Sequence, residues 1–492
     1  MADFIVDGSA ESLQQAIDSA NNLPGTDTVI INSDIELDTA ITITDSLNII
    51  GNGSSISQTQ GDRIFNINDN SEEKSLIQIE NLNFNNGNPE DSGGAILSQE
   101  NLNIVNANFT NNATQGGGGA IFVDGADLSI ENSLFKGNQI DNNPATSAGG
   151  AIHVRNGKLD IVGSQITNNI AAVGGGITIV NSTANIDNTS IDSNSGGGIA
   201  IVDRSSLNLT NSSLNTNVAE IAGGGLLIDK EAFARITNSS IEANLAEFGG
   251  GIAVQVDSSS EIVDTSIADN TANDSGGGID VFDNSSLSIE NSTVTNNSAQ
   301  FGGGITVQVD SSSEIVNTSI ADNTANDSGG GIDIFDNSFL SIENSTVTNN
   351  SAEFGGGIAN TESEVLISDS EIIDNVFTDV EEVVTFAPAD DNDIVDEDQS
   401  YTFELIPYNS DREQQPFDSL LNSQPLDDAD NNYVVIEDGN NIFVLEPNAD
   451  TSIFEELSQL SSSSGEFFLP QDIFNELSDS GSLLEFVVGI EA

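Results

Sequence analysis

GGGITVQVDSSSEIVNTSIADN, residues 302–323, carries one full statement of the pattern that decides the fold. Three glycines lead into Ile305-Thr306-Val307-Gln308-Val309, whose period of two is that of a strand with one buried face. Asn317 and Asn323 then bracket Ile320 at three residues on either side. The string returns almost unchanged at 249–270, inside a longer duplication. Residues 249–301 and 302–354 align without a gap and differ only at Ala253/Thr306, Asp264/Asn317, Val281/Ile334, Ser286/Phe339 and Gln300/Glu353. Each copy is itself two shorter turns. A chain that tolerates such copying gains length, the mark of a stacked, one-dimensional fold.

Outward from this stretch the pattern holds over most of the chain. Glycine-rich starts precede Ile96, Ile121, Ile152, Ile177, Ile199, Leu226, Ile252, Ile279, Ile305, Ile332 and Ile358, at gaps of 22–31 residues. Later in each turn an apolar residue is followed three positions on by Asn112, Asn138, Asn169, Asn194, Asn217, Asn244, Asn270, Asn297, Asn323, Asn350 or Asn375. Asn tolerates the left-handed backbone of a tight bend and carries both a donor and an acceptor. Stacked at about 4.8 Å, such amides can bond one another and satisfy bend backbone that is otherwise buried unpaired. Length variation falls outside the Asn segments, as in the gap holding Asp141-Asn142-Asn143-Pro144, so loops absorb insertions while the stack keeps register.

One turn offers a handful of aliphatics at about 1.5–3 kcal/mol each on full burial. Ordering its residues costs roughly 1.5 kcal/mol apiece, so no turn folds alone and the array must be continuous. Leucine-rich repeats are dominated by Leu, whereas these turns favour Ile and Val; propeller blades need about 40–45 residues. The expected fold is all-β: a right-handed parallel β-helix of about 12–13 turns over residues 28–375. A strand and capping helix over 1–27 precede it, an acidic linker over 376–400 and a small α+β tail over 401–492 follow. In the first segment Leu13, Ala16, Ile17 and Ala20 share one helical face behind Ser9 as N-cap. In the tail, Tyr401–Leu405, Tyr433–Ile436 and Asn441–Leu445 read as strands, Thr451–Leu460 and Gln471–Leu477 as short helices.

Composition narrows the function. With 79 acidic against 9 basic residues the formal charge is −70. Nucleic acid and anionic lipid are therefore poor partners, since both need positive charge to replace counterions. The absence of cysteine removes disulfides and thiol chemistry, and the single histidine, His153, excludes a multi-histidine metal centre. Met1–Val6 shows neither a basic nor an apolar leader region, and no apolar run approaches the ~20 residues of a membrane helix.

Gly93-Gly94-Ala95-Ile96, Gly118-Gly119-Ala120-Ile121 and Gly149-Gly150-Ala151-Ile152, with Phe109-Thr110-Asn111-Asn112 and Phe135-Lys136-Gly137-Asn138, resemble the GGA[ILV] and FxxN repeats of polymorphic outer-membrane proteins. The opening ~60 residues resemble the start of secreted right-handed β-helix proteins of the pectate-lyase-like superfamily. This resemblance implies surface display and adhesion. The tail is too short for the C-terminal barrel of an autotransporter, and its acidic, Phe-containing end resembles an uncleaved type I secretion signal.

The sharpest enzymatic reading is a polysaccharide lyase, which needs a base, often Arg or Lys, and acidic residues holding Ca²⁺ against a uronate carboxylate. Three of the nine basic residues cluster: His153 and Arg155 face outward on one strand, Lys158 follows, and Asp124 falls beside Arg155 one turn earlier. Arg155 is the candidate catalytic residue; Asp124, His153, Arg155 and Lys158 are candidate ligand contacts. The plainer reading of Asp124 and Arg155 is a surface ion pair. Recurring acidic residues closer than the ~8 Å Debye length allow Ca²⁺ to relieve repulsion, and salt adaptation explains the charge equally well; no cofactor is required. The favoured expectation is a non-enzymatic, adhesin-like or matrix-binding protein, extracellular or at the cell surface and exported without an N-terminal leader, with a cytoplasmic location left open. Its partners would be polysaccharide or cell-surface components, without nucleic acid or membrane insertion. A carbohydrate-active enzyme, a lyase or hydrolase, is the alternative.

Overall fold

The chain is described by a computed structural model covering residues 2–140 and 148–377, together with the strands Val383–Val384, Phe403–Pro407, Val434–Asp438, Asn441–Leu445 and Leu484–Glu485. The turn that begins at Gly302 shows how the solenoid is made. Ile305–Gln308, Ser312–Val316 and Ser319–Ala321 are three strands separated by sharp corners, and Thr324–Ser328 closes the turn before the next glycines. Each strand pairs in parallel with its equivalents one turn before and after: Ile279, Ile305 and Ile332 stand in one row, Ile289, Ile315 and Ile342 in a second, Val294, Ile320 and Val347 in a third. All nine are fully buried. Stacking produces three long parallel sheets: sheet A of 15 strands, sheet B of 14 and sheet C of 13. From Ile41 onward the chain runs C, A, B in each turn.

The solenoid has about 14 turns, more than the 12–13 expected. The surplus comes from the first segment. Asp3–Val6 is not a separate cap strand; it pairs with Asp27–Ile31 as the first member of sheet A. The helix Ala10–Asn21 follows, N-capped by the Ser9 side chain, which accepts from the Ser12 N–H, and buries Leu13, Ala16, Ile17 and Ala20. It packs over the first strands of the solenoid, covering an edge that stacked sheets must close.

The corners explain the glycine and asparagine signals. Asn317 (φ 49°) turns sheet A into sheet B, and Val309 and Asp310 (φ 55° and 56°) turn C into A. Asn323 follows the sheet B strand and points inward. Its Oδ1 accepts from both the backbone N–H and the Nδ2 of Asn297 (2.9 and 3.0 Å), while its own Nδ2 donates to the Val294 carbonyl and to Asn350 Oδ1 (both 2.9 Å). The same bonds repeat from Asn112 to Asn375. A Cβ on Gly304 would lie 2.5 Å from the Gly331 carbonyl oxygen and 3.1 Å from Asn323 Nδ2. The glycine run and the Asn three residues past Ile320 are thus two sides of one close contact. In the earlier turns the sheet B row carries Phe84, Phe109 and Phe135, whose rings stack at 4.6 and 4.7 Å within 3° of parallel.

After residue 377 the five described strands form one sheet, antiparallel except for the pairing of Phe403–Pro407 with Leu484–Glu485. Strands therefore stand close to the three expected there. Within the expected linker 376–400, Val376–Phe377 extends the solenoid and Val383–Val384 joins the last sheet; the rest of the linker, both expected tail helices and the loop Asp141–Pro144 lie outside the described residues.

Candidate functional site

The four side chains singled out on sequence grounds do not form one site. Asp124 and Arg155 are register partners in sheet C, and the guanidinium forks onto the carboxylate with Nε at 3.1 Å and Nη2 at 2.5 Å. Asn156 donates to the same carboxylate at 2.9 Å, and the guanidinium carbon sits 5.5 Å above the Phe122 ring. The hydrogen bonds it donates to Asp124 hold Arg155 above the ordinary arginine range, and Arg155 holds Asp124 below the ordinary carboxylate range. A guanidinium so committed stays charged and cannot serve as the base of an elimination.

His153 points out of the solenoid yet is largely covered. Its Nδ1 is 3.2 Å from the Ala148 carbonyl oxygen, its ring stands edge-on to Phe122, and its Nε2 is sequestered with no partner among the described residues. Burial pushes the imidazole down to about 4, so it is neutral at physiological pH. Lys158, only three residues past Arg155, lies beyond the corner on sheet A, where it pairs with Asp160 at 2.6 Å. The corner, not the sequence separation, sets it apart. Among the described residues no group of three or more His, Asp or Glu is arranged to hold a metal ion, and no helix is long and apolar enough to cross a membrane.

A second region, not apparent from any single turn, is an open groove of about 420 Å³ along the corner between sheets A and B. It crosses four turns. Asn188, Asn211, Asn238 and Asp264 form its outer row, each in the left-handed conformation that the corner demands. Behind them Thr189, Ser212 and Ser239 are buried. Each hydroxyl donates to the carbonyl two residues earlier (2.7–2.9 Å) and accepts a backbone N–H from the preceding turn. These hydroxyls are consumed by the corner itself. Ser190, Ser213, Ser240 and Ser266 form the open wall, one per turn on sheet B.

Beside that wall, two residues further along their strands, stand Asp192, Asn215 and Glu242. Ser190 donates to Asp192, and Ser240 donates to Glu242 at 2.6 Å. Asp192 Oδ1 and Asn215 Oδ1 are hidden from solvent and have no partner among the described residues. Buried acceptors without donors are uncommon and call for an explanation. No Lys or Arg lines the groove. Its only sequence trace is the run of Ser or Thr directly after each corner Asn, residues 23–27 apart.

Among solved structures, the periplasmic alginate epimerase AlgG is similar over 75% of this chain and 85% of its own, at 12% identity and a TM-score of 0.40. The A-module of the Azotobacter vinelandii mannuronan C-5 epimerase AlgE6 is similar over 74% of this chain and 95% of its own, at 11% and 0.28. A mannuronic acid specific polysaccharide family 6 lyase from human gut microbiota is similar over 69% and 86%, at 11% and 0.36. Identities and scores this low carry no site from those enzymes to this chain. No protein of curated function matches it. The family described as right handed beta helix region matches residues 116–263 and 217–377, more than half of the 492 residues together. With the parallel sheets and their register on the same residues, the chain belongs to the right-handed β-helix family.

Proposed function

We propose that this is a carbohydrate-directed β-helix protein, which holds a neutral polysaccharide lengthwise in the groove between sheets A and B. The observation that carries the reading is the row of hydroxyls and amides that lines the open groove and repeats once per turn. A polysaccharide supplies hydroxyl donors at regular intervals, and the turn repeat of about 4.8 Å is on the scale of one sugar ring. Charge selects among glycans. Asp264 lines the groove, Asp187, Asp192 and Glu242 bond residues that line it, and the chain carries −70 overall, so uronate polymers are repelled. Arg155 fixed on Asp124 likewise argues against uronate elimination there. The broader adhesin-like reading has no observation of its own.

Binding to a panel of neutral glucans, xylans and mannans beside alginate and pectate tests this, with product analysis for new reducing ends and for unsaturated uronates. Neutral chains are expected to bind, and Ser213→Trp, which fills the groove from an outward strand position, to abolish binding while leaving thermal unfolding unchanged. Binding of uronate polymers alone, or undiminished binding by Ser213→Trp, would sink the proposal.

A further inference from the structure

The second residue of each sheet C strand points away from the core, yet in most turns it is buried. Thr178, Ala200, Ala253, Asp280, Thr306 and Asp333 are all at most 3% exposed. They are covered because the segment leading into the glycines of the same turn lies over them. Thr178 Oγ1 donates to the Val173 carbonyl at 3.2 Å and Thr306 Oγ1 to the Phe301 carbonyl at 3.1 Å, each five residues upstream. A threonine here pins the overlying segment to the sheet without charge.

At two turns the same place holds a carboxyl group. Asp280 Oδ1 accepts from Ser275 Oγ and from Gln308 Nε2, both at 2.9 Å, and Gln255 in the preceding turn also bonds the group. Asp333 Oδ2 accepts from Ser328 Oγ at 2.5 Å. The two stand on either side of Thr306 in one row, one in each copy of the duplication. Among the described residues no cation faces either. The overlying segments bring Asp274, with Glu247 beyond it, and Asp327; the flanking strands bring the neutral Ala253, Gln255, Thr306 and Gln308. No Lys, Arg or His occurs between Arg235 and the end of the solenoid.

We propose that Asp280 and Asp333 form a proton-operated latch, which as the neutral acid fastens Thr271–Ser275 and Thr324–Ser328 to sheet C and as the carboxylate releases them. The neutral acid still accepts from Ser275 or Ser328 and, like Thr178 and Thr306, holds the segment without a buried charge. The carboxylate places a charge in a dry site that offers hydroxyl and amide donors but lies beside further acids and, among the described residues, no cation, which favours opening of the segment to water. Burial raises both groups to about 6, so the exchange falls between mildly acidic and neutral conditions. Asp333, without the glutamine bonds of Asp280, is the weaker latch when ionised.

The intervening turns provide the control. Leu245–Phe248 and Ser298–Phe301 cover Ala253 and Thr306, which do not titrate. Amide hydrogen exchange of the full chain at pH 5 and pH 7.5, corrected for intrinsic rates, reads all four segments at once. Protection of Thr271–Ser275 and Thr324–Ser328 is expected to fall about tenfold or more at the higher pH, with the other two, which pair with them in one sheet, falling less. The double variant Asp280→Asn, Asp333→Asn is expected to abolish the step. Should asparagine compromise folding, Asp280→Thr with Asp333→Thr restores the residue of the neighbouring turns and gives the same expectation. Equal steps in all four segments, no step in the wild type, or a step that survives both double variants would overturn the latch.

Discussion

Replacing Asn297 by Ala tests whether the amide stack holds the solenoid together or merely fills a bend. Asn297 Oδ1 accepts from the backbone N–H and the Nδ2 of Asn270, at 2.9 and 3.0 Å, and its Nδ2 donates to the Ile267 carbonyl and to Asn323 Oδ1, both at 3.0 Å. Truncation does not weigh equally on these partners. Asn270 Nδ2 keeps the Ile241 carbonyl, and Asn323 Oδ1 keeps the Asn297 backbone N–H. The Asn270 N–H loses its partner in a site with no access to water, while the Ile267 carbonyl stays inside a strand paired with Thr293–Thr295. One orphaned group costs about 1–3 kcal/mol, which places the loss at about 2 kcal/mol, besides the small cavity. Urea unfolding followed by circular dichroism gives the total, and hydrogen exchange shows whether the turns on either side open first, as nearest-neighbour coupling requires. The exposed Asn273, whose amide bonds Glu247 at the surface, is the control, and Asn273→Ala should stay within ~0.5 kcal/mol of wild type. A loss of less than 1 kcal/mol for Asn297→Ala would refute the claim that the stack satisfies buried backbone.

Phe109→Ala empties the middle of the three-ring stack and is expected to cost about 3–5 kcal/mol in the same assay, since both faces of the ring are covered. Val309 has φ 55°, which a β-branched residue adopts only under strain; Val309→Asn should raise stability by about 1 kcal/mol, and a lower unfolding midpoint would count against that reasoning. Asp280 and Asp333 are raised from 3.8 to about 6, so folding is unpenalised below about pH 4 and loses stability as pH rises to about 6. Between pH 5 and 7.5 the loss is on the order of 1.4 kcal/mol per site. Comparing the pH slope of the urea midpoint with that of the double Asn variant checks the sign; equal slopes would contradict it.

Much of the architecture was legible along the chain, because in a solenoid the inward or outward sense of a residue follows from local periodicity. The glycines before Ile305 and the amide at Asn323 recur at a nearly fixed interval because parallel stacking puts each against its own copy, about 4.8 Å away. Register therefore follows from repetition. The first turn escaped notice because Asp3–Val6 lacks both signals and is joined to sheet A by pairing alone.

The candidate sites show where periodicity stops. Asp124 and Arg155 meet because register brings them together, but whether an outward side chain reaches water depends on what folds over it. His153 and Asp280 point outward and are covered by the segment five residues upstream, and Lys158 leaves the Arg155 face because a corner intervenes. Asp280 left a trace, an acid inside the apolar run Ile279–Phe282, that has meaning only once the overlying segment is in place. The groove likewise gathers residues from four turns, none distinctive in its own. The sequence by itself determined the coil, its register and its buried amides, since these depend on neighbours at a constant interval. Only the tertiary structure decided which outward positions are dry, which are paired and which line a groove, because burial at the surface depends on segments whose paths the repeat does not specify.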